Sequence, residues 1–371
     1  MKPDELLTTA TTPNPFAGDD QLRSLTREQA LLLDRVRRMR WFYLVQVMHV
    51  ELKRVTDDLM ELLEPDNDVK IVSIIGMTGI GKTTLANNLL QVLDACYRNG
   101  ASPSDIPVIY VRAPANGERS LSWTGLYNRI LEAGREVMLR HKRAAIVTKG
   151  ELRVVRGSRA TLGELRHFIE QMLTNRNVRV LVIDEALHLL RFDDYTAVMD
   201  TLKSLADIHT TKLVLIGAYD IAKLMTEYAQ VARRSEIVHY RRYVTGELNP
   251  EALTPDQEEF RKQVVKLQSL WPCAAVPQLE AIWHELMRAS LGSVGLLKAI
   301  LLRMASLQMG TPNEALTLAL MKKAFKAQKS NKKIEDETVL GEVELKNACY
   351  GDTPFASNDE LVTMFERLKA A

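Results

Sequence analysis

Five short apolar runs punctuate the first two thirds of the chain: "VKIVSII" from Val69, "VIYVRA" from Val108, "VRVLVIDEA" from Val178, "KLVLIGA" from Lys212 and "IVHYRRY" from Ile237. The central runs are apolar at consecutive positions rather than alternate ones, which predicts strands buried on both faces of a parallel sheet. Segments with apolar residues three and four apart separate most of them, as in "TTLANNLLQVLDACY" after the first run, and these predict helices. The alternation indicates a doubly wound α/β domain, a five-stranded parallel sheet flanked by helices.

Past "TGELNPEALTPDQ" the period changes, and only helical patterns follow, at 257–271, 277–290, 293–308 and 313–328. They predict a second, small all-helical domain. Upstream, a long helical pattern from Ser24 to Glu64 breaks within "RRMRWFYLVQVMHV" and is closed by Pro65. The expected organisation is a flexible arm at 1–20, a helical region at 21–65, the α/β domain at 66–245 and a helical lid at 246–329. An acidic extension at 330–371 follows, broken by Gly351 and Pro354 and ending in the amphipathic "NDELVTMFERLKAA".

Chemistry enters at residues 73–90, "SIIGMTGIGKTTLANNLL". Gly76, Gly81, Lys82 and Thr83 stand at the spacing G-x-x-x-x-G-K-[ST], between a predicted strand and a predicted helix. Glycines let the backbone wrap an anion so that several N–H groups converge on it, and the helix start adds its positive dipole end. Gly76, Thr78, Gly79, Ile80, Gly81, Lys82, Thr83 and Thr84 are the expected nucleotide contacts. Lys82 is placed to reach the β- and γ-phosphates of ATP, and the Thr83 hydroxyl to ligate Mg²⁺.

The third apolar run ends in Asp184-Glu185. A carboxylate pair at the end of a buried strand needs a cation, and beside a phosphate loop that cation is Mg²⁺, held through Asp184. Glu185 is then placed to orient or deprotonate an attacking water, so the pair argues for hydrolysis beyond binding.

Composition narrows the class of partner. The chain has 371 residues, 46% hydrophobic and 26% charged, with a net charge of +2. Near-neutrality argues against a general nucleic-acid coat but leaves room for a local patch. One stands between the second and third apolar runs, at 135–166, where Arg135, Arg140, Lys142, Arg143, Lys149, Arg153, Arg156, Arg159 and Arg166 outnumber Glu136, Glu151 and Glu164. Read as helix and loop, the segment suits phosphate-backbone contacts with duplex DNA rather than base reading, or else it is a solvated face. No apolar run approaches the roughly eighteen residues that span a bilayer, so no membrane partner is expected. Cys96, Cys273 and Cys349 form no metal-binding pair, and the polar, acidic start has no signal-peptide core. Reduced thiols and a cytoplasmic location are the expectation.

The ordered set "GMTGIGKTT", "VLVIDEA", "LVLIGAYD" and "VARRSEIVHYRRY", followed by a helical segment opened by "GSVG", resembles an AAA+ ATPase. More narrowly, "ARRS…HYRRY" and the short helical lid resemble the TnsC/TniB family of DNA-transposition regulators. The resemblance covers residues 70 to about 310. It implies an ATPase with a MuB-like role that assembles as rings or helical filaments on duplex DNA. Such a protein links a target-selection protein to the transposase and disassembles on ATP hydrolysis.

By position, the resemblance makes Arg233 or Arg234 a finger that reaches a neighbouring subunit's γ-phosphate, unless they form a solvated helix end. It makes Lys298 a basic residue over the nucleotide, or a solvent-facing helix charge. The family's γ-phosphate sensor falls at "GAYD", where Ala218 cannot serve and Tyr219 or Asp220 stands in, Tyr219 being equally suited to packing. A helicase loader or replication initiator is the rival within the same superfamily, although the short, acidic, strand-poor C-terminal region counts against an initiator. A nucleotide-switch signalling ATPase that ignores DNA is the rival outside it.

Overall fold

The computed structural model describes residues 19–98, 100–114, 123–136, 145–148, 151–154, 161–186, 201–202, 204–205, 211–222, 234–249, 251–311, 314–325 and 328–349. They form two compact units. One holds the described residues of 50–242 together with 332–349, and the other those up to 49 together with 243–331.

The first unit is built on β1 (Ile71–Ile75), β2 (Val108–Arg112), β5 (Val180–Asp184), β6 (Lys212–Gly217) and β7 (Ser235–His239). These strands are parallel throughout, in the order β2-β5-β6-β1-β7. Every residue of β1, β5 and β6 is buried, which is why their sequences read as unbroken apolar runs. Helices α4 (Val50–Leu62), α5 (Lys82–Arg98), α6 (Trp123–Ala133) and α7 (Leu162–Asn175) carry the complementary apolar stripes. The one charged residue inside β6, Lys212, donates from Nζ to the carbonyls of Leu62, Glu64 and Asn67 at 2.9, 2.6 and 2.9 Å. It thereby satisfies chain ends at the C-terminus of α4, where the helix dipole also favours a cation.

Two short strands, β3 (Ala145–Thr148) and β4 (Glu151–Val154), pair antiparallel as a separate hairpin with Ala145 opposite Val154 and Thr148 opposite Glu151. This corrects the expectation of helix and loop for the basic segment.

The second unit is helical. Its core gathers Phe260, Val264, Leu267, Trp271, Leu297, Leu301 and Met304 from α8 (Pro255–Ser269), α10 (Val294–Gln308) and the segment between, which includes α9 (Trp283–Ala289). Ala30, Trp41 and Phe42 join that core from α2 (Arg27–Leu31) and α3 (Arg35–Leu44). Phe42 meets Trp271 edge-on at 5.7 Å, and Arg27 donates to the carbonyls of Trp271 and Cys273, both at 2.9 Å. The stretch read as one N-terminal helical region therefore contributes to both units, because α4 packs in the first.

The turn "GSVG" has a clear cause. Gly292 adopts φ +73 with the Tyr243 carbonyl pressed where a Cβ would stand, and the Ser293 hydroxyl accepts from the Leu296 N–H at 3.1 Å to start α10. The pattern at 313–328 resolves into the short helix α11 (Leu318–Ala324). The acidic extension, expected as a broken tail, opens as a 22-residue helix, α12 (Gln328–Cys349). No described helix is long and apolar enough to cross a membrane.

Candidate ATP site at the carboxyl edge of the sheet

Because all five strands run parallel, their carboxyl ends share one edge, where α/β sheets bind ligands. The phosphate loop follows β1 at that edge, and α5 begins at Lys82. Gly79 and Gly81 take φ +83 and +115, left-handed values that only glycine adopts freely. Gly76 is needed for closeness, since a Cβ there would stand 2.6 Å from the Tyr240 carbonyl oxygen. That oxygen is in place because the chain leaving β7 stays paired to β1, with Tyr240 N–H on Ile75 O at 2.7 Å.

Lys82 Nζ donates to the carbonyls of Gly76 and Met77 at 2.8 and 2.9 Å, lying back along its own loop. Burial pushes its pKa down to about 8, while Glu185 and Asp184 act in the opposite direction. Thr78, Gly79 and Thr83 are exposed, Ile80 is buried and Thr84 half-buried. The loop thus offers backbone and hydroxyl to solvent while its isoleucine anchors it.

Asp184 ends β5 and is buried. Its Oδ2 accepts from the Tyr110 hydroxyl at 2.6 Å and its Oδ1 from the Glu185 N–H at 2.8 Å. Two of the roughly four lone-pair directions of a carboxylate are thereby used, leaving others for a cation. Burial, then the bond to Asp184, raises the Tyr110 pKa to about 12, so it stays a donor. Glu185 is exposed and holds φ +55, a conformation that costs a non-glycine residue about 1 kcal/mol and that clusters at functional sites. The residues fit Mg²⁺ with a triphosphate: a hydroxyl at Thr83, a fixed carboxylate at Asp184, and a lysine between loop and carboxylates.

Strand order brings these parts together. β6 lies between β1 and β5, so its end, Ala218–Asp220, sits between the phosphate loop and the carboxylate pair. Tyr219 is buried there with its hydroxyl 3.3 Å from His239 Nε2 and its ring edge-on to the His239 ring. Burial depresses the His239 pKa to about 4 and raises that of Tyr219. The two side chains share one hydrogen bond beside a neutral imidazole, and the packing role of Tyr219 is the one its contacts display.

Arg234 is exposed at the amino end of β7, where its carbonyl accepts from the N–H groups of Lys70 and Ile71. That is the opposite edge of the sheet from the loop, roughly 16 Å away for five residues of strand. Arg233 lies outside the described residues. Lys298 belongs to the helical unit, with its buried Nζ 4.0 Å from the Phe42 ring centroid and no hydrogen-bond partner among the described residues. This corrects its reading as a solvent-facing charge: a cation over an aromatic face, its pKa pushed down to about 7 by burial. Of the basic segment, Arg135 is exposed at φ +54 and Arg153 lies on β4 opposite Ile146. Arg140, Lys142, Arg143, Lys149, Arg156 and Arg159 fall outside the described residues.

Sequence reasoning missed Tyr110 and the work of "HYRRY". The signal for Tyr110 was a lone hydroxyl in the strand "VIYVR". In "HYRRY", Tyr240 backs the loop, Arg241 pairs with the buried Glu51 at 2.8 Å and Arg242 pairs with Glu342 at 2.9 Å.

Residues 66–225 match the family model described as an AAA domain. Among solved structures, the chain is similar to the Aeropyrum pernix ORC2 protein in its ADPNP-ADP complexes, at 18% identity and a TM-score of 0.50. That match covers 74% of this chain and 66% of that one, just under two thirds of its length. Weaker likenesses include the Aeropyrum pernix ORC1 protein in complex with DNA, at 17% identity and TM-score 0.45, covering 80% of this chain and 67% of that one. Another is the Walker-type ATPase of Pyrococcus abyssi, at 14% identity and TM-score 0.44, covering 79% and 74%. No curated protein matches by sequence. The fold is that of an AAA+ P-loop domain.

Proposed function

We propose that this chain is an ATP-dependent regulator of DNA transposition that assembles on duplex DNA, links a target-selection protein to a transposase, and disassembles when ATP is hydrolysed. The observation that carries the assembly is the separation of the phosphate loop and Arg234 to opposite edges of one sheet. An arginine so placed cannot serve its own nucleotide. It can complete the site of a neighbouring copy, stabilising charge on the transferring phosphoryl group.

In this reading Lys82 holds the β- and γ-phosphates, Thr83 and Asp184 hold Mg²⁺, and Glu185 accepts the proton of the attacking water. The bound metal would supply neutralisation of phosphate charge. The basic segment with its β3–β4 hairpin, set apart from the main sheet, supports contact with the DNA backbone. A helicase loader or replication initiator would use the same ATP chemistry, and the fold shared with the ORC2 protein suits it equally. The two readings part at the partner.

Shared sites have a direct test. Replacing Arg233 and Arg234 by alanine is expected to lower hydrolysis about 10³-fold, and Glu185→Gln to lower it separately by roughly 10²–10⁴-fold. Mixing the two impaired proteins should return part of the rate, because one interface then carries an intact Glu185 and an intact arginine. Wild-type turnover in the arginine variant, or a mixture that stays silent, would remove the shared site.

A further inference from the structure

Helix α12 has no place in the function so far, yet it packs beside the phosphate loop and the end of β6. From residue 332 onward it packs in the first unit. Thr338 and Leu345 are buried, and Gly341 lies so close to the Tyr219 ring that no Cβ fits between them. Glu342 accepts from Arg242 Nε and Nη2 at 2.9 and 3.1 Å, a two-point pair largely shielded from solvent. Such a bidentate pair fixes direction as well as position.

The helix walls a cavity of about 160 Å³ whose other sides are Met77 and Thr78 of the phosphate loop and Ala218 and Asp220 at the end of β6. From the helix, Glu337 and Glu344 line it. The cavity borders the leading residues of the loop and not Lys82, so it lies beside the phosphate cradle. Strand order puts the end of β6 between the loop and Asp184-Glu185, and a triphosphate joining those two must pass over it. Asp220, Glu337 and Glu344 set carboxylates around that cavity, with Lys333 Nζ 4.0 Å from Glu337.

We propose that residues 332–349 form an autoinhibitory strap, whose docking on the end of β6 opposes binding of the γ-phosphate and is in turn loosened by ATP. The inference rests on the reading of the ATP site given above. Linkage makes the two effects reciprocal: a strap that weakens ATP binding is itself released by ATP to the same degree. Gly341 and the Arg242–Glu342 pair are the latch.

The test uses the full chain, ATP carrying a fluorescent ribose group, and hydrogen exchange of the 332–349 amides. Nucleotide with Mg²⁺ is expected to speed exchange in wild-type α12, and Glu342→Gln to tighten nucleotide binding about fivefold or more. Gly341→Leu, whose side chain must displace the Tyr219 ring or the helix, provides a second release. A variant whose helix exchanges faster but whose nucleotide affinity equals wild type overturns the strap and leaves the ATP site standing. Absence of binding by wild type and both variants overturns the ATP site itself, and the strap with it.

Discussion

Lys82→Ala is expected to weaken ATP binding by about 10²-fold or more, as loss of charge-assisted bonds to two phosphates implies at roughly 1.5–3 kcal/mol each. Lys82 enters ATP binding from a prepared position. Its ammonium lies on the Gly76 and Met77 carbonyls of the loop it must serve. With its pKa near 8, the charged form is held only loosely, and a polyphosphate would secure it. Titration with a fluorescent nucleotide, beside circular dichroism to show that the variant is folded, reads the effect. Wild-type affinity in Lys82→Ala would mean that the glycine loop is not where ATP binds.

Glu185→Gln separates binding from chemistry. The amide keeps the size of the side chain and faces the same cost at φ +55, so the backbone that presents Asp184 is not disturbed. What it loses is a group able to accept the proton of the attacking water, a role worth roughly 10²–10⁴-fold. Single-turnover hydrolysis should fall by that factor while the affinity for ATP stays within about twofold. Hydrolysis at the wild-type rate would take the general base away from Glu185.

Much of this site was legible in the sequence, for physical reasons that differ by part. β1, β5 and β6 declared themselves because both of their faces are covered, which demands apolar residues at every position. The loop was legible because its glycines are dictated by left-handed φ values and by the Tyr240 carbonyl. The hairpin at 145–154 was hidden: its four-residue strands are too short for a pattern to emerge from the surrounding charges.

Helix α12 was hidden for a different reason. Its inward positions include Thr338, Gly341 and Leu345, and a threonine and a glycine do not register as an apolar stripe. Glycine is there because Tyr219 fills the space a side chain would take. The N-terminal helices illustrate a third limit. Trp41 of α3 and Leu59 of α4 are both buried, and a sequence does not say which of two cores each will join. Arginines 241 and 242 read as part of a family signature, whereas the structure pairs them with Glu51 and Glu342.

The central claim is ATP-driven assembly on DNA, and electron microscopy of the protein with duplex DNA, in ATP and in ADP, tests it most directly. Rings or filaments on the duplex that form in ATP and are lost in ADP are the predicted result. Single, unassembled copies in both nucleotides would contradict the claim.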